Sequence, residues 1–147
     1  MEKGNALSTP LPSYVKLSLN DCPKSDAEKA KMEKVPYSSA VGSIMYAMIC
    51  IRLDIAHAVG VVSRYMSNPG KKHWEAVKNI RQYLNGTSDV CICFGSKDPC
   101  VAGYIDVDYA GDMDKRRSTS GYVFMFTGGA VSWRSRLQNC TSMSTLR

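Results

Sequence analysis

The chain has 147 residues, 44% apolar and 22% charged, a globular balance and enough length for one modest domain. Nineteen Lys and Arg against 13 Asp and Glu leave a net charge of +6, which suits a polyanionic partner and equally suits a solvated basic surface. A charged n-region followed by an apolar h-region is missing, so no secretion signal is expected, and the longest near-apolar run, Val41 to Ile51, is 11 residues and too short to span a bilayer.

In chain order, residues 1–36 are polar, carry Pro10, Pro12 and Pro23, and alternate in charge from Lys24 to Lys34; they predict a linker with one short solvated helix. From Tyr37 the period becomes helical. Val41, Ile44, Met45, Met48 and Ile49 fall on one face, and a second stripe runs through Ile55, Ala58, Val59, Val62 and Met66 up to the breaker Ser67-Asn68-Pro69-Gly70. These stripes predict a helical hairpin. A third helix is expected from Lys71 to Leu84, stopping at Asn85-Gly86 and burying Trp74, Val77 and Leu84, with Arg81 interrupting that face. His57 reads as a helix-surface residue, and His73 as an N-terminal residue of the third helix beside Lys71 and Lys72.

After Thr87 the alternation is that of strands. Val90 to Phe94, Val101 to Val107, Gly121 to Phe126 and Ala130 to Trp133 predict an antiparallel meander, its last pair joined through Thr127-Gly128-Gly129. The fold class expected is α+β, a helical segment over residues 37–87 followed by a meander over residues 88–147.

Several chemistries are excluded. No glycine-rich phosphate loop occurs, and no Ser or Cys stands in a nucleophile turn. The six cysteines, at 22, 50, 91, 93, 100 and 140, include no Cys-x-x-Cys and no paired histidines at zinc spacing, so they read as reduced thiols of an intracellular protein, cytoplasmic or nuclear. Asp106 and Asp108 are two apart and would share a strand face, a weak metal signal. The plainer reading is that Asp108 opens a turn, with Asp112 and Asp114 as solvated loop residues. Lys71, Lys72, Lys78 and Arg81 on the third helix and Lys115, Arg116 and Arg117 after the Asp106 strand could touch phosphates without reading bases.

The stretch Gly103-Tyr-Ile-Asp-Val-Asp-Tyr-Ala-Gly-Asp112, then Lys115-Arg-Arg-Ser-Thr-Ser-Gly-Tyr-Val-Phe-Met-Phe-Thr-Gly-Gly129 and Ala130-Val-Ser-Trp133, resembles the RNase H domain at the end of the Pol polyprotein of copia-type LTR retrotransposons. Val35-Pro-Tyr-Ser-Ser-Ala-Val-Gly-Ser43, Arg64-Tyr-Met-Ser-Asn-Pro-Gly70 and His73-Trp-Glu-Ala-Val-Lys78 resemble the segment joining that polyprotein's reverse transcriptase to its RNase H. The resemblance implies that residues 37–87 close the reverse transcriptase region and that residues 88–147 begin an RNase H-like domain. It makes Asp106 the first ligand of a two-cation Mg²⁺ site acting on the RNA strand of an RNA–DNA hybrid. The next ligand, a Glu, is expected two residues past Ser144-Thr145-Leu146-Arg147, beyond this sequence.

The reverse-transcriptase signature of paired aspartates is absent, since Tyr104-Ile-Asp106-Val lacks the second adjacent Asp. The resemblance thus implies a truncated Pol fragment, catalytically inactive alone, in which Asp106 is vestigial and no metal is bound productively. The alternative is a non-enzymatic module that binds nucleic acid or a protein. Without the helices that cover the meander in the family, an apolar sheet face would be left exposed here, so self-association is expected. Leu53, in Arg52-Leu53-Asp54, stands where the family typically has proline, and Asn79 and Arg81 depart from apolar positions, so the third helix is expected to pack less well than in its relatives.

Overall fold

The structure is a computed structural model that describes residues 7–95, 99–108 and 110–139. It divides into two compact units, Met1–Asp89 and Val90–Arg147. Among the described residues, the first is helical and the second holds a three-stranded antiparallel sheet, a mixed α+β architecture.

In the helical unit, α1 spans Asp26–Glu33, α2 Tyr37–Cys50, α3 Ala56–Ser63 and α4 Lys71–Gly86, with one-turn 3-10 helices at Leu19–Asp21 and Leu53–Ile55. The α1 helix buries nothing and is held by its start: Ser25 Oγ accepts the Glu28 N–H at 3.3 Å, and Glu28 accepts the Lys24 N–H at 3.0 Å. That backbone donor, with the one from Ser25, holds the Glu28 carboxyl below its usual range.

The core joins Val41 and Ile44 of α2, Ile55, Ala58, Val59 and Val62, and Ala76, Val77 and Ile80 of α4. These positions recur every three or four residues, so each helix turns one apolar stripe inward. Stripe margins behave differently. Ile49 and Met66 are exposed, and α3 ends at Ser63, three residues before Met66. The buried Tyr37 hydroxyl donates to the Val62 carbonyl at 2.7 Å and joins α2 to α3. Burial pushes that phenol well above its ordinary value.

The composition of residues 1–36 predicts a linker; part of that stretch is instead built into the core. Leu17 is buried, and Leu11, Val15 and Cys22 pack against the same cluster. The stretch docks where its carbonyls meet fixed donors. Tyr65 Oη supplies one, to the Leu17 carbonyl at 3.0 Å, and His73 Nε2 lies 3.2 Å from the Ser18 carbonyl.

His73 lies in the first turn of α4, as its place beside Lys71 and Lys72 predicts, and it is fully buried there, its ring stacked on Tyr65 at 4.0 Å between centroids, and its Nδ1 accepts the Gly70 N–H at 2.8 Å. With Nδ1 accepting, Nε2 carries the proton and donates to Ser18, which fixes the neutral tautomer. The buried face of α4 is therefore His73, Ala76, Val77 and Ile80, while Trp74 and Leu84 are half-buried. Arg81 is exposed and does not interrupt that face, and Ile80 beside it is fully buried.

Leu53 opens the 3-10 turn, where the Ile55 N–H closes onto the Arg52 carbonyl and the Leu53 N–H lies outside the ring. Arg52, at φ −114° and ψ 70°, is already out of the helical region that a following proline disfavours. Leu53→Pro is therefore expected to stabilise the helical unit by up to ~1 kcal/mol through the unfolded chain. Urea denaturation checks this; a lower midpoint for the variant would show that the Leu53 side chain contributes more than the ring constraint.

In the second unit, β1 spans Val101–Val107, β2 Thr119–Phe126 and β3 Gly129–Leu137, in the order β1-β2-β3. Asp106 pairs with Gly121 and Gly121 with Ser135, and a bulge falls between Phe124 and Met125. Thr127 and Gly128, both at positive φ, form the two-residue β2–β3 turn, as the twist of the strands requires. The segment Val90–Phe94, expected as a strand, is not one. Alternation specifies extended chain but not a ladder partner, and this segment pairs with neither edge strand of the sheet. The segment is instead held at the hairpin turn, where the Gly95 N–H donates to the Thr127 carbonyl at 3.1 Å.

Apolar side chains stand exposed on both faces of this sheet. Val101, Ile105, Phe124 and Phe126 lie on one face and Tyr104 on the other. The buried side chains among its described residues are small or polar: Asp112, Ser118, Thr119 and Ala130.

Candidate functional site

Asp106 sits on β1 with its carboxylate exposed, and Oδ1 accepts the N–H of the next residue, Val107, at 2.9 Å. Asp108 continues the ladder beyond the strand: its N–H donates to the Thr119 carbonyl at 3.0 Å and its Oδ1 accepts the Thr119 N–H. Both Asp108 groups thus close the β1–β2 loop, in keeping with a turn role.

Asp112, expected as a solvated loop residue, is instead buried, only 5% exposed. Its Oδ2 accepts the Lys115 N–H at 3.0 Å, and its backbone bonds Arg117 and Arg116. Ser118 Oγ accepts the Ala110 N–H at 3.1 Å. The loop is organised from within by its own Asp and Ser side chains, the local bonding these residues favour.

For a pair of Mg²⁺ ions, hard cations that require several converging carboxylates, this donor set does not fit. Asp108 is spent on the loop, and no group of three or more Asp, Glu, His or Cys side chains that could hold a metal occurs among the described residues. The Ser144-to-Arg147 motif and Cys140 lie outside the described residues.

The basic residues divide. Lys71, Lys78 and Arg81, at i, i+7 and i+10 of α4, share one exposed face. Lys72 faces elsewhere and is engaged, Nζ lying 2.6 Å from Asp21 Oδ1. That hydrogen-bonded lysine holds the Asp21 carboxyl below its usual range despite partial desolvation. A cleft of about 730 Å³ beside the start of α4 is lined by Lys24, Lys31, Lys71, Lys72 and Trp74. Lys24 and Lys31 carry no signal of a site in the sequence, because they fall in what reads as a linker. In the sheet unit Lys115 and Arg116 are exposed and Arg117 is half-buried, with Arg116 at φ 54°.

A hydrogen-bonded polar cluster lies around Arg52, itself 6% exposed. Its Nε and Nη2 donate to the two Asp54 carboxylate oxygens at 3.0 and 2.7 Å, while Nη1 and Nη2 reach Thr87 O and Oγ1 at 3.0 and 2.6 Å. Tyr83 Oη donates to Asp54 Oδ2 at 2.8 Å, and its ring lies under the guanidinium, 5.5 Å from centroid to Cζ. Burial works to raise the Asp54 carboxyl, but the Arg52 and Tyr83 hydrogen bonds outweigh it and hold it low. The same bond from Asp54 raises the Tyr83 hydroxyl and the Arg52 guanidinium. A cation on the last carbonyls of α4 is favourable there. The cluster ties the α2–α3 junction to the end of α4. In the sequence its signal was a charged i, i+2 pair set between two apolar stripes.

A helical segment followed by an antiparallel sheet that carries Asp106 on its first strand is the class defined by these observations, and sequence comparison places it. The chain is 59% identical over 145 residues to a retrovirus-related Pol polyprotein from transposon TNT 1-94 of Nicotiana tabacum, covering 99% of this chain and 11% of that protein. Identity is 34% over 134 residues to the Pol polyprotein from transposon RE2 of Arabidopsis thaliana, which covers 90% of this chain and 9% of the relative. A secreted RxLR effector protein 161 of Plasmopara viticola is 47% identical over 115 residues, 78% of this chain and 81% of that protein. The chain belongs to the family of retrovirus-related Pol polyproteins of copia-type LTR retrotransposons. It spans about a tenth of the Pol relatives' length, 11% and 9%. No protein-family model and no solved structure matches it. Among the described residues no helix is long and apolar enough to cross a membrane.

Proposed function

We propose that this segment is the junction of a copia-type Pol polyprotein, its helical unit closing the reverse transcriptase region and its sheet supplying the first strands of an RNase H-like domain. The Pol relatives, matched over nearly the whole chain, support that placement. Asp106 is then the first metal-ligand position of the RNase H reaction, and by itself the segment does not cleave. One observation carries this reading: Asp106 is exposed on β1, and its nearest acidic neighbour in sequence, Asp108, is bonded to Thr119.

The activity retained is contact with a nucleic-acid backbone, either an RNA–DNA hybrid or a duplex, through Lys71, Lys78 and Arg81 and through Lys115, Arg116 and Arg117. Such contact neutralises phosphates without reading bases. Lys24 and Lys31, lining the cleft beside α4, extend the first group. Reduced thiols at Cys22, Cys50, Cys91, Cys93 and Cys100 suit a reducing, intracellular setting.

Titration of a fluorescent hybrid against salt tests this. Binding is expected to weaken steeply with salt, and the triple change Lys71→Ala, Lys78→Ala, Arg81→Ala should flatten the log–log slope by up to about 3, roughly 1 for each phosphate no longer neutralised. An unchanged slope in the triple variant would remove α4 from the interface. The second reading, a non-enzymatic protein-interaction module, draws on the Plasmopara relative, a protein of which 81% is matched. The exposed Ile105, Phe124 and Phe126 would be its binding face, or a face for self-association.

A further inference from the structure

Cys91 and Cys93 are both exposed, and their Sγ atoms are 3.6 Å apart. In extended chain, residues two apart project to the same side, and here Ile92 between them is half-buried while both thiols face solvent. The backbone that presents them is anchored. Besides the bond from Gly95 N–H to the Thr127 carbonyl, Phe94 and the Cys93 carbonyl lie so close to Gly129 that a Cβ there would meet the ring at 2.5 Å and the carbonyl at 2.9 Å. Gly129 is what lets this segment seat on the β2–β3 turn. Chelation costs less when the donors are already placed, since little freedom remains to be lost.

We propose that Cys91 and Cys93 form a two-thiolate chelate for a soft cation, with Cu(I) as the occupant. Two sulfurs bound to one metal at about 2.3 Å are at most roughly 4.6 Å apart, so thiols 3.6 Å apart reach a single ion with a small rotation of their side chains. The donor set then selects among metals. Zinc completes a structural site with four protein ligands, and no third His, Cys, Asp or Glu joins this pair among the described residues. Hard cations require oxygen ligands that are missing here. Soft thiolates favour Cu(I), which is satisfied by a low coordination number. On binding, each thiol loses its proton to solvent as its sulfur bonds the metal, with no change in oxidation state.

The test is anaerobic titration of the reduced 147-residue protein with Cu(I) held in a competing chromogenic chelator, following the thiolate-to-copper absorption in the ultraviolet, with Zn²⁺ titrated in parallel. One equivalent of Cu(I) is expected to bind. Cys91→Ser and Cys93→Ser should each abolish that complex, and a variant keeping only these two cysteines should retain it. Circular dichroism on each variant separates loss of the site from loss of fold. Copper binding that survives Cys91→Ser, or that disappears when the other four cysteines are replaced, would overturn the proposal, as would Zn²⁺ displacing Cu(I) from the pair.

Discussion

Arg52→Ala is expected to lower the stability of the helical unit by about 2–4 kcal/mol, the range for removing one partner of a buried ion pair with a discount for the exposure of the other. The guanidinium is nearly enclosed, its side chain 7% exposed against 29% for Asp54, so its removal leaves a half-buried carboxylate beside a helix end that has lost its cation. It also strips two hydrogen bonds from Thr87 and the stacking partner of Tyr83. Arg52→Lys should recover only part of the loss, because an ammonium cannot reproduce the two-pronged contact with Asp54.

The same cluster sets an acid limit. Asp54 is held below its ordinary value in the folded chain, so its contribution is fully present above the unfolded-state value, about 3.9, and is lost as pH falls through the lower folded value. Denaturation midpoints at pH 7 and pH 3 check both points. An Arg52→Ala loss below about 1 kcal/mol, or equal acid sensitivity in parent and variant, would show that the cluster is only a surface ion pair.

His73→Ala is expected to cost about 3 kcal/mol or more, combining a cavity with the loss of two hydrogen bonds in a dry site. The imidazole fills the space against Tyr65 and joins two backbone groups from separate segments, the Gly70 N–H and the Ser18 carbonyl. Removing it should detach the Leu17–Asp21 strap from the core. Amide exchange would then accelerate around Leu17 and at Gly70 before it does in α2. If His73→Phe restored full stability, shape and stacking would carry the site and the two hydrogen bonds would contribute little.

Why the burial of His73 is unreadable in the sequence follows from the same geometry. Its partners are main-chain groups, and Ser18 lies 55 residues away, so no side-chain pattern betrays it. The inner positions of the helical stripes are legible because a 3.6-residue period is a property of sequence alone; Val41, Ile44, Val59, Val62 and Val77 are all buried. At the stripe margins, burial depends on which neighbour arrives, and Ile49 and Met66 meet none that covers them. The chemistry of the turn at Thr127-Gly128 is visible, and so is Asp108 as a turn residue. Hidden are the docking of Leu17, masked by a proline-rich context, and the burial of Asp112, whose short side chain bonds its own loop. Val90–Phe94 shows the limit of alternation, which marks extended chain without naming the strand it would pair with.

Cleavage of an RNA–DNA hybrid is the decisive measurement for the proposal that this segment carries one ligand position of an RNase H site. The purified 147-residue chain is incubated with a labelled hybrid in Mg²⁺ or Mn²⁺, beside Asp106→Asn. With no group of three or more metal-holding side chains around Asp106 among the described residues, the expected result is no cleavage above background and no difference between the two proteins. Divalent-dependent cleavage of the RNA strand that Asp106→Asn abolishes would contradict it, and would mean that this chain assembles a working metal site.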